Sequence, residues 1–224
     1  MPSWTFPATA AAVVQAGLVP YFVDVDPDGL IDVRGIDASC EAIIVVAPYG
    51  KYPGGWDEFS KQHNIPIIID AAAAFDIYSM MFKPKNCPVI ISTHSTKCFA
   101  TGEGGMVFTH NADLLERVRR ISNFGLTPDR RIEYTGLNCK FSEYHAAVGL
   151  AELDGWSIKR ELLIEKAKEY GVDYAVTLVP VCGKGVMKKY GCHFHDAYKN
   201  YPRTELPVTN ELIENVGAVM IGID

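Results

Sequence analysis

The 224-residue sequence predicts an α/β fold around a mostly parallel sheet, and three observations carry that prediction. Short β-branched runs recur through the first half of the chain, and stretches of helical length lie between them. The runs are continuously apolar, which is the pattern of strands covered on both faces. Strand and helix in alternation is how parallel strands are joined.

In chain order, the helical patterns before residue 130 are Ala8 to Gly17, Asp57 to His63, and Ala112 to Asn123 with Gly125 just after. The strands are Tyr21 to Asp24, Ala42 to Val46, Ile65 to Asp70, Val89 to Ser92, and Met106 to Thr109. A long helix starts at Ser142, whose hydroxyl suits an N-cap, and runs toward Tyr170, with Gly171 as its stop. From Val172 to Arg203 glycine and proline break the chain and no periodicity stands out; Thr209 to Gly217 again looks helical. Gly183-Lys184-Gly185 reads as a turn rather than a phosphate loop, since no strand-to-helix turn surrounds it. There are no internal repeats.

Composition narrows the function. A net charge of -6 with no basic stripe argues against a nucleic-acid surface. No apolar run approaches the ~20 residues needed to span a bilayer, so no membrane role is expected. The first residues lack the charged start and apolar centre of a signal peptide. Six cysteines, at 40, 87, 98, 139, 182 and 192, form no CxxC pair and read as reduced thiols of a cytoplasmic protein. Cys192, His193, His195 and Asp196 offer donor atoms, but no second pair stands at zinc spacing, so no metal site is expected.

The chemistry gathers where α/β sheets bind ligands, at the carboxyl ends of the strands. Asp70 closes the run IPIIID, Ser92 closes PVIIS, and Lys97 follows on the next loop. A lysine between two apolar strands either reaches solvent or has its charge put to use, because burying an unpaired ammonium is costly. Carboxylate, hydroxyl and lysine on one sheet edge suit pyridoxal phosphate. The lysine bonds to the aldehyde, the carboxylate keeps the pyridine nitrogen protonated, and hydroxyls take the phosphate. Each also has a plain reading: Asp70 as a turn cap, Ser92 bonded to local backbone, Lys97 as a solvated turn residue.

The stretch STHSTKCFATGEGGMVFT, residues 92–109, resembles the lysine motif of the DegT/DnrJ/EryC1/StrS family of sugar aminotransferases, roughly SFHPTKNLTTGEGGMVVT. PSWTFPATAAAVVQAGLVPYFVDVD, IIIDAAAAFD and GLNCKFSEYHAAVGLAEL resemble further family stretches in the same order, so the likeness runs over about residues 2 to 170. It implies a fold-type-I, three-layer aminotransferase domain at 1–140 and, at 141–224, the long helix with a shortened, incomplete C-terminal subdomain. By the same resemblance Lys97 would hold the cofactor as a Schiff base and move the proton during transamination. Asp70 would pair with the pyridinium nitrogen, Phe6 would stack on the ring, and Ser92 would bind the phosphate. Asn138 would reach the phosphate of a neighbouring subunit in a homodimer. The substrates implied are a nucleotide-linked keto sugar and an amino donor such as glutamate.

Three departures stand out. Where the family has a glutamine bonded to the cofactor's phenolic oxygen there is Ala73, and where it has histidine there is Phe75. Relatives also carry a first segment with a Gly-Thr phosphate loop before the position of PSWTF, so the chain reads as a shortened one. The rival expectations are a non-catalytic interaction or regulatory module and a dehydratase of the same branch. The latter replaces the lysine with histidine, against Lys97.

Overall fold

The computed structural model describes residues 1–51, 54–80, 86–182, 187–188 and 191–222. The run 183–185 lies outside them. Strands β1 (Ile43–Val46), β2 (Ile67–Asp70), β3 (Val89–Ser92) and β4 (Gly105–Phe108) form one sheet in that order. The first two pairings are parallel and the third is antiparallel. Ile43, Val45, Ile67, Ile69, Val89 and Ile91 turn to one face and are buried with Trp56, Phe75, Tyr78, Trp156 and Leu163 in the main core. These last five come from helices α2 (Trp56–His63), α3 (Phe75–Met80) and α5 (Glu143–Lys168). On the opposite face Ile44 packs beside Ala10 of helix α1 (Pro7–Gln15), so the sheet lies between helical layers. That second face is not fully closed: Ile68 and Ile90 are more than a third exposed, so β2 and β3 are covered on one side where continuous burial is expected.

The long helix follows its sequence signals closely. Ser142 caps it, accepting the His145 N–H, and Gly171 takes the left-handed φ of 76° after it ends. Helix α4 (Ala112–Ile121) likewise starts on an Asn111 cap and carries Arg119 and Arg120 in its last turn, where a cation suits the helix dipole.

Elsewhere the expectations need correction. Residues 21–24 form no strand. Phe22 and Val23 are buried, yet the pairings of this region are single bridges: Val23 to Pro2, Phe22 to Arg203, and Val25 to Ile31. Apolar β-branched character bought burial here, but three different neighbours cannot supply a ladder. The segment after Val172, without periodicity, holds a second sheet: β5 (Leu178–Cys182), β7 (Val216–Met220) and β6 (Met187–Lys188), antiparallel, with β7 central. Helix α6 (Pro207–Asn215) passes into β7 without a loop, so the helical reading of 209–217 stops two residues early.

The two ends of the chain are stitched together. Asp24 caps α6 from a distance, accepting the N–H groups of Val208 and Thr209 at 2.9 and 2.7 Å and the Thr209 hydroxyl at 2.6 Å. His193 bridges Ser3, 2.5 Å from Nδ1, and Asn210, 3.1 Å from Nε2. In the neutral ring, Nε2–H donates to the Asn210 side-chain oxygen and Nδ1 accepts from the buried Ser3 hydroxyl. Burial is the main reason that the His193 pKa lies below its ordinary 6.5; Arg203 adds to it, while Asn210 and Asp24 oppose it. A lowered value means that the folded state resists protonation. The bridge's contribution is therefore complete above pH 6.5 and is lost as pH falls from there toward the folded value. Urea unfolding at about pH 7.5 and about pH 5.5 is expected to show a smaller stability loss in His193→Gln than in wild type. Equal losses would mean that His193 does not carry the titration.

Candidate active site

Asp70 and Ser92 end neighbouring parallel strands. Asp70 is the register partner of Ile90, and Ser92 lies two residues on, so both side chains belong to the open face of the sheet at its carboxyl edge. Asp70 is half-buried; its Oδ2 accepts the Thr9 hydroxyl at 2.7 Å and its Oδ1 the Ala72 N–H at 3.2 Å. The Ser92 hydroxyl accepts the His94 N–H at 3.2 Å.

Lys97 stands on the loop that carries the chain from β3 back into β4. Paired backbone closes the base of that loop: Thr93 N–H to Gly104, Thr101 N–H to Thr93, and Ser95 N–H to Gly102. Within it the Lys97 N–H donates to the His94 carbonyl at 2.8 Å. The His94 ring takes the Thr96 N–H at Nδ1, which leaves Nε2 on the side of Glu103, 3.6 Å away. Lys97 is half-buried and lines a small cavity with Ala73, Cys98, Val176, Thr177 and Leu178. Thr177 also donates its hydroxyl to the Thr96 carbonyl at 2.6 Å, which fixes the start of β5 to the lysine loop.

The glycines that follow Lys97 let α5 come close. At Gly104, with φ 132°, an added Cβ would fall 2.1 Å from the Phe141 ring. The Gly-rich loop is thus a seat for the helix start, and a side chain there would displace the lysine loop.

Phe6 is 71% exposed and is no part of the core. It occupies the N-cap of α1, between Thr5 and the first helical turn that carries Thr9. Asn138 is exposed and bonded to Lys140, whose ammonium lies 4.3 Å from the centre of the Phe124 ring. It makes no hydrogen bond to Asp70, Ser92 or Lys97 among the described residues. Ala73, as a lining residue beside Lys97, offers no hydrogen-bonding side chain. Phe75 turns inward and stacks on Phe99 at 4.1 Å, with Trp156 edge-on at 4.9 Å. Sequence reasoning passed over Thr9 and the cavity wall from 176–178. The VTLV run at 176–179 was the available sign of the latter.

Comparison with known proteins decides the family. The model of the DegT/DnrJ/EryC1/StrS aminotransferase family matches residues 1–175. The chain belongs to that family. Protein Mb3436c of Mycobacterium bovis is 31% identical over 169 residues, which cover 69% of this chain and 41% of that protein. A dTDP-4-amino-4,6-dideoxy-D-glucose transaminase of Shigella dysenteriae is 35% identical over 161 residues, covering 67% of this chain and 44% of that enzyme. The chain thus spans less than half the length of these relatives. Among solved structures, DesI with its TDP-sugar product aligns at TM-score 0.83 and 27% identity, over 99% of this chain and 69% of that one. A family aminotransferase from Brucella abortus shares the fold, at TM-score 0.85 and 23% identity, over 98% and 73% of the two chains. The fold is therefore that of the family's aminotransferases. No helix among the described residues is long and apolar enough to cross a membrane.

Proposed function

We propose that the chain carries the pyridoxal phosphate site of a sugar aminotransferase, which moves an amino group from a donor such as glutamate to a nucleotide-linked keto sugar. The reading rests above all on the placement of Lys97. It is a half-buried lysine on the loop that follows β3, next to the strand ends that carry Asp70 and Ser92 on one face of the sheet. The donor set fits the cofactor: a carboxylate held as an acceptor, a strand-end hydroxyl, a lysine and an exposed aromatic ring. When bound, pyridoxal phosphate withdraws electrons from the substrate's α-carbon and so lets a proton leave it.

The chain's own residues do the rest. Lys97 would hold the cofactor through Nζ and would accept and return the proton at the substrate's α-carbon. Asp70 holds the proton on the ring nitrogen, since a carboxylate beside it favours the charged form. Ser92 takes part of the phosphate, and Phe6 covers the ring face. Ala73 leaves the phenolic oxygen without the amide that family members offer. Asn138 serves the phosphate of a second copy, in a homodimer with shared sites. Residues 1–140 form the cofactor-binding unit and 141–224 the long helix and subdomain. The setting is cytoplasmic, in the supply of amino sugars for surface polysaccharides or glycosylated natural products.

Support comes from relatives named for this chemistry. Besides the Shigella enzyme, a GDP-perosamine synthase of Caulobacter vibrioides is 31% identical over 168 residues. The test is to add pyridoxal phosphate to the purified chain and follow its visible absorbance, then glutamate and a dTDP-linked 4-keto sugar. A band that forms and is bleached by glutamate, with amino sugar produced, is the expected outcome. No band at saturating cofactor would sink the reading and leave a non-catalytic module.

A further inference from the structure

Helix α1 opens on a chain of hydroxyls that ends at Asp70. Thr9, 4% exposed, donates from Oγ1 to Asp70 Oδ2 at 2.7 Å across 61 residues of sequence. A carboxylate only accepts, so the one hydroxyl proton of Thr9 is committed to Asp70. The 2.9 Å contact between the Thr5 and Thr9 hydroxyls therefore has a single polarity, with Thr5 donating and Thr9 accepting. Asp70 Oδ1 takes the Ala72 N–H, so both carboxylate oxygens are held. The helix does not need this arrangement for its own cap: its N-cap residue, Phe6, makes no side-chain capping bond. Phe6 lies between the two threonines, so the same pair of hydroxyls ties the exposed ring's position to the strand end.

We propose that Thr9, backed by Thr5, is a positioning residue: it fixes the orientation of the Asp70 carboxylate for the cofactor's ring nitrogen. The inference rests on the pyridoxal phosphate reading given above. A bond to each oxygen stops rotation of the carboxylate. The register partners of Asp70, Val46 and Ile90, are uncharged. The hydroxyl is thus the polar support that reaches Asp70 from α1.

Two variants separate positioning from packing. Thr9→Val keeps the shape and removes the hydroxyl; Thr9→Ser keeps the hydroxyl and removes the methyl. The first measurement uses the cofactor-free chain: carbon-13 NMR of labelled aspartate at one fixed neutral pH, with the Asp70 carboxyl signal identified by its loss in Asp70→Asn. Thr9→Val is expected to move that signal, and Thr9→Ser to leave it near its wild-type position. The second is a pyridoxal phosphate titration, in which Thr9→Val should bind about tenfold more weakly and Thr9→Ser within about threefold of wild type. An unmoved Asp70 signal in folded Thr9→Val overturns the proposal, and so does an equal loss in both variants, which marks packing. Should Thr9→Val not fold, Thr5→Val removes the supporting donor at a less buried place. It is then expected to move the signal by a smaller amount, and no change overturns the proposal. A wild-type chain that binds no cofactor counts against the functional reading alone, because the cofactor-free spectrum reads the hydroxyl–carboxylate contact by itself.

Discussion

On the proposed function, Lys97→Ala is expected to lose transamination by about a thousandfold or more while still folding, because covalent attachment and proton transfer would both depend on one amine. Borohydride treatment of the wild-type chain with pyridoxal phosphate should fix the cofactor to a single peptide that contains Lys97. The Ala variant should show no such peptide. Truncation at this half-buried site removes no core side chain, so the variant's thermal unfolding is expected to stay close to wild type. Activity within about tenfold of wild type would mean that another amine does the chemistry.

The second large effect concerns stability. Asp76 is 1% exposed and pairs with the Nε of Arg160 on α5. Its other oxygen accepts the Ala175 N–H at 3.2 Å, so one carboxylate ties α3, α5 and the approach to β5. Asp76→Ala is expected to destabilise the chain by about 3–5 kcal/mol, since it leaves a guanidinium and a buried N–H without the carboxylate that satisfied them. Arg160 is a quarter exposed and can recover some hydration, which puts the expected value at the low end. Denaturant unfolding measures it, and a loss below about 1 kcal/mol would show that water replaces the carboxylate at this position.

Much of the fold could be read from local pattern. β3 falls where its apolar run does, and α5 begins and ends on its serine and glycine signals. The strand-end positions of Asp70 and Ser92 and the loop position of Lys97 were legible because strand ends and the loop after them are marked by residue type within a few positions. What escaped depends on partners far away in sequence. The Thr9 bond to Asp70 joins a helix start to a strand end, and nothing near Thr9 announces it. β5 contains Pro180, which weakens a strand reading, and its pairing with β7 is specified by residues almost forty positions on. Helix α3 has six residues, too few to show a period. Phe75 looks like a site departure in sequence, and only its stacking on Phe99 and Trp156 shows that it serves the core.

The tie between Asp24 and the start of α6 spans 185 residues, and that between Ser3 and His193 spans 190. A chain emerging from the ribosome at about 5–20 residues per second leaves its first twenty-five residues without those partners for roughly 10 to 40 s. During that time the apolar side chains of Phe22 and Val25 lack the cover that Tyr198 and Ile213 give them in the finished fold. The strands of the central sheet can pair much sooner, because their partners lie within a few dozen residues. Synthesis therefore produces the sheet before residues 1–25 are covered, and their capture waits for residues 192–213. Truncating translation just before residue 192 should therefore expose nascent chains to chaperones and proteases far more than truncating it after residue 213.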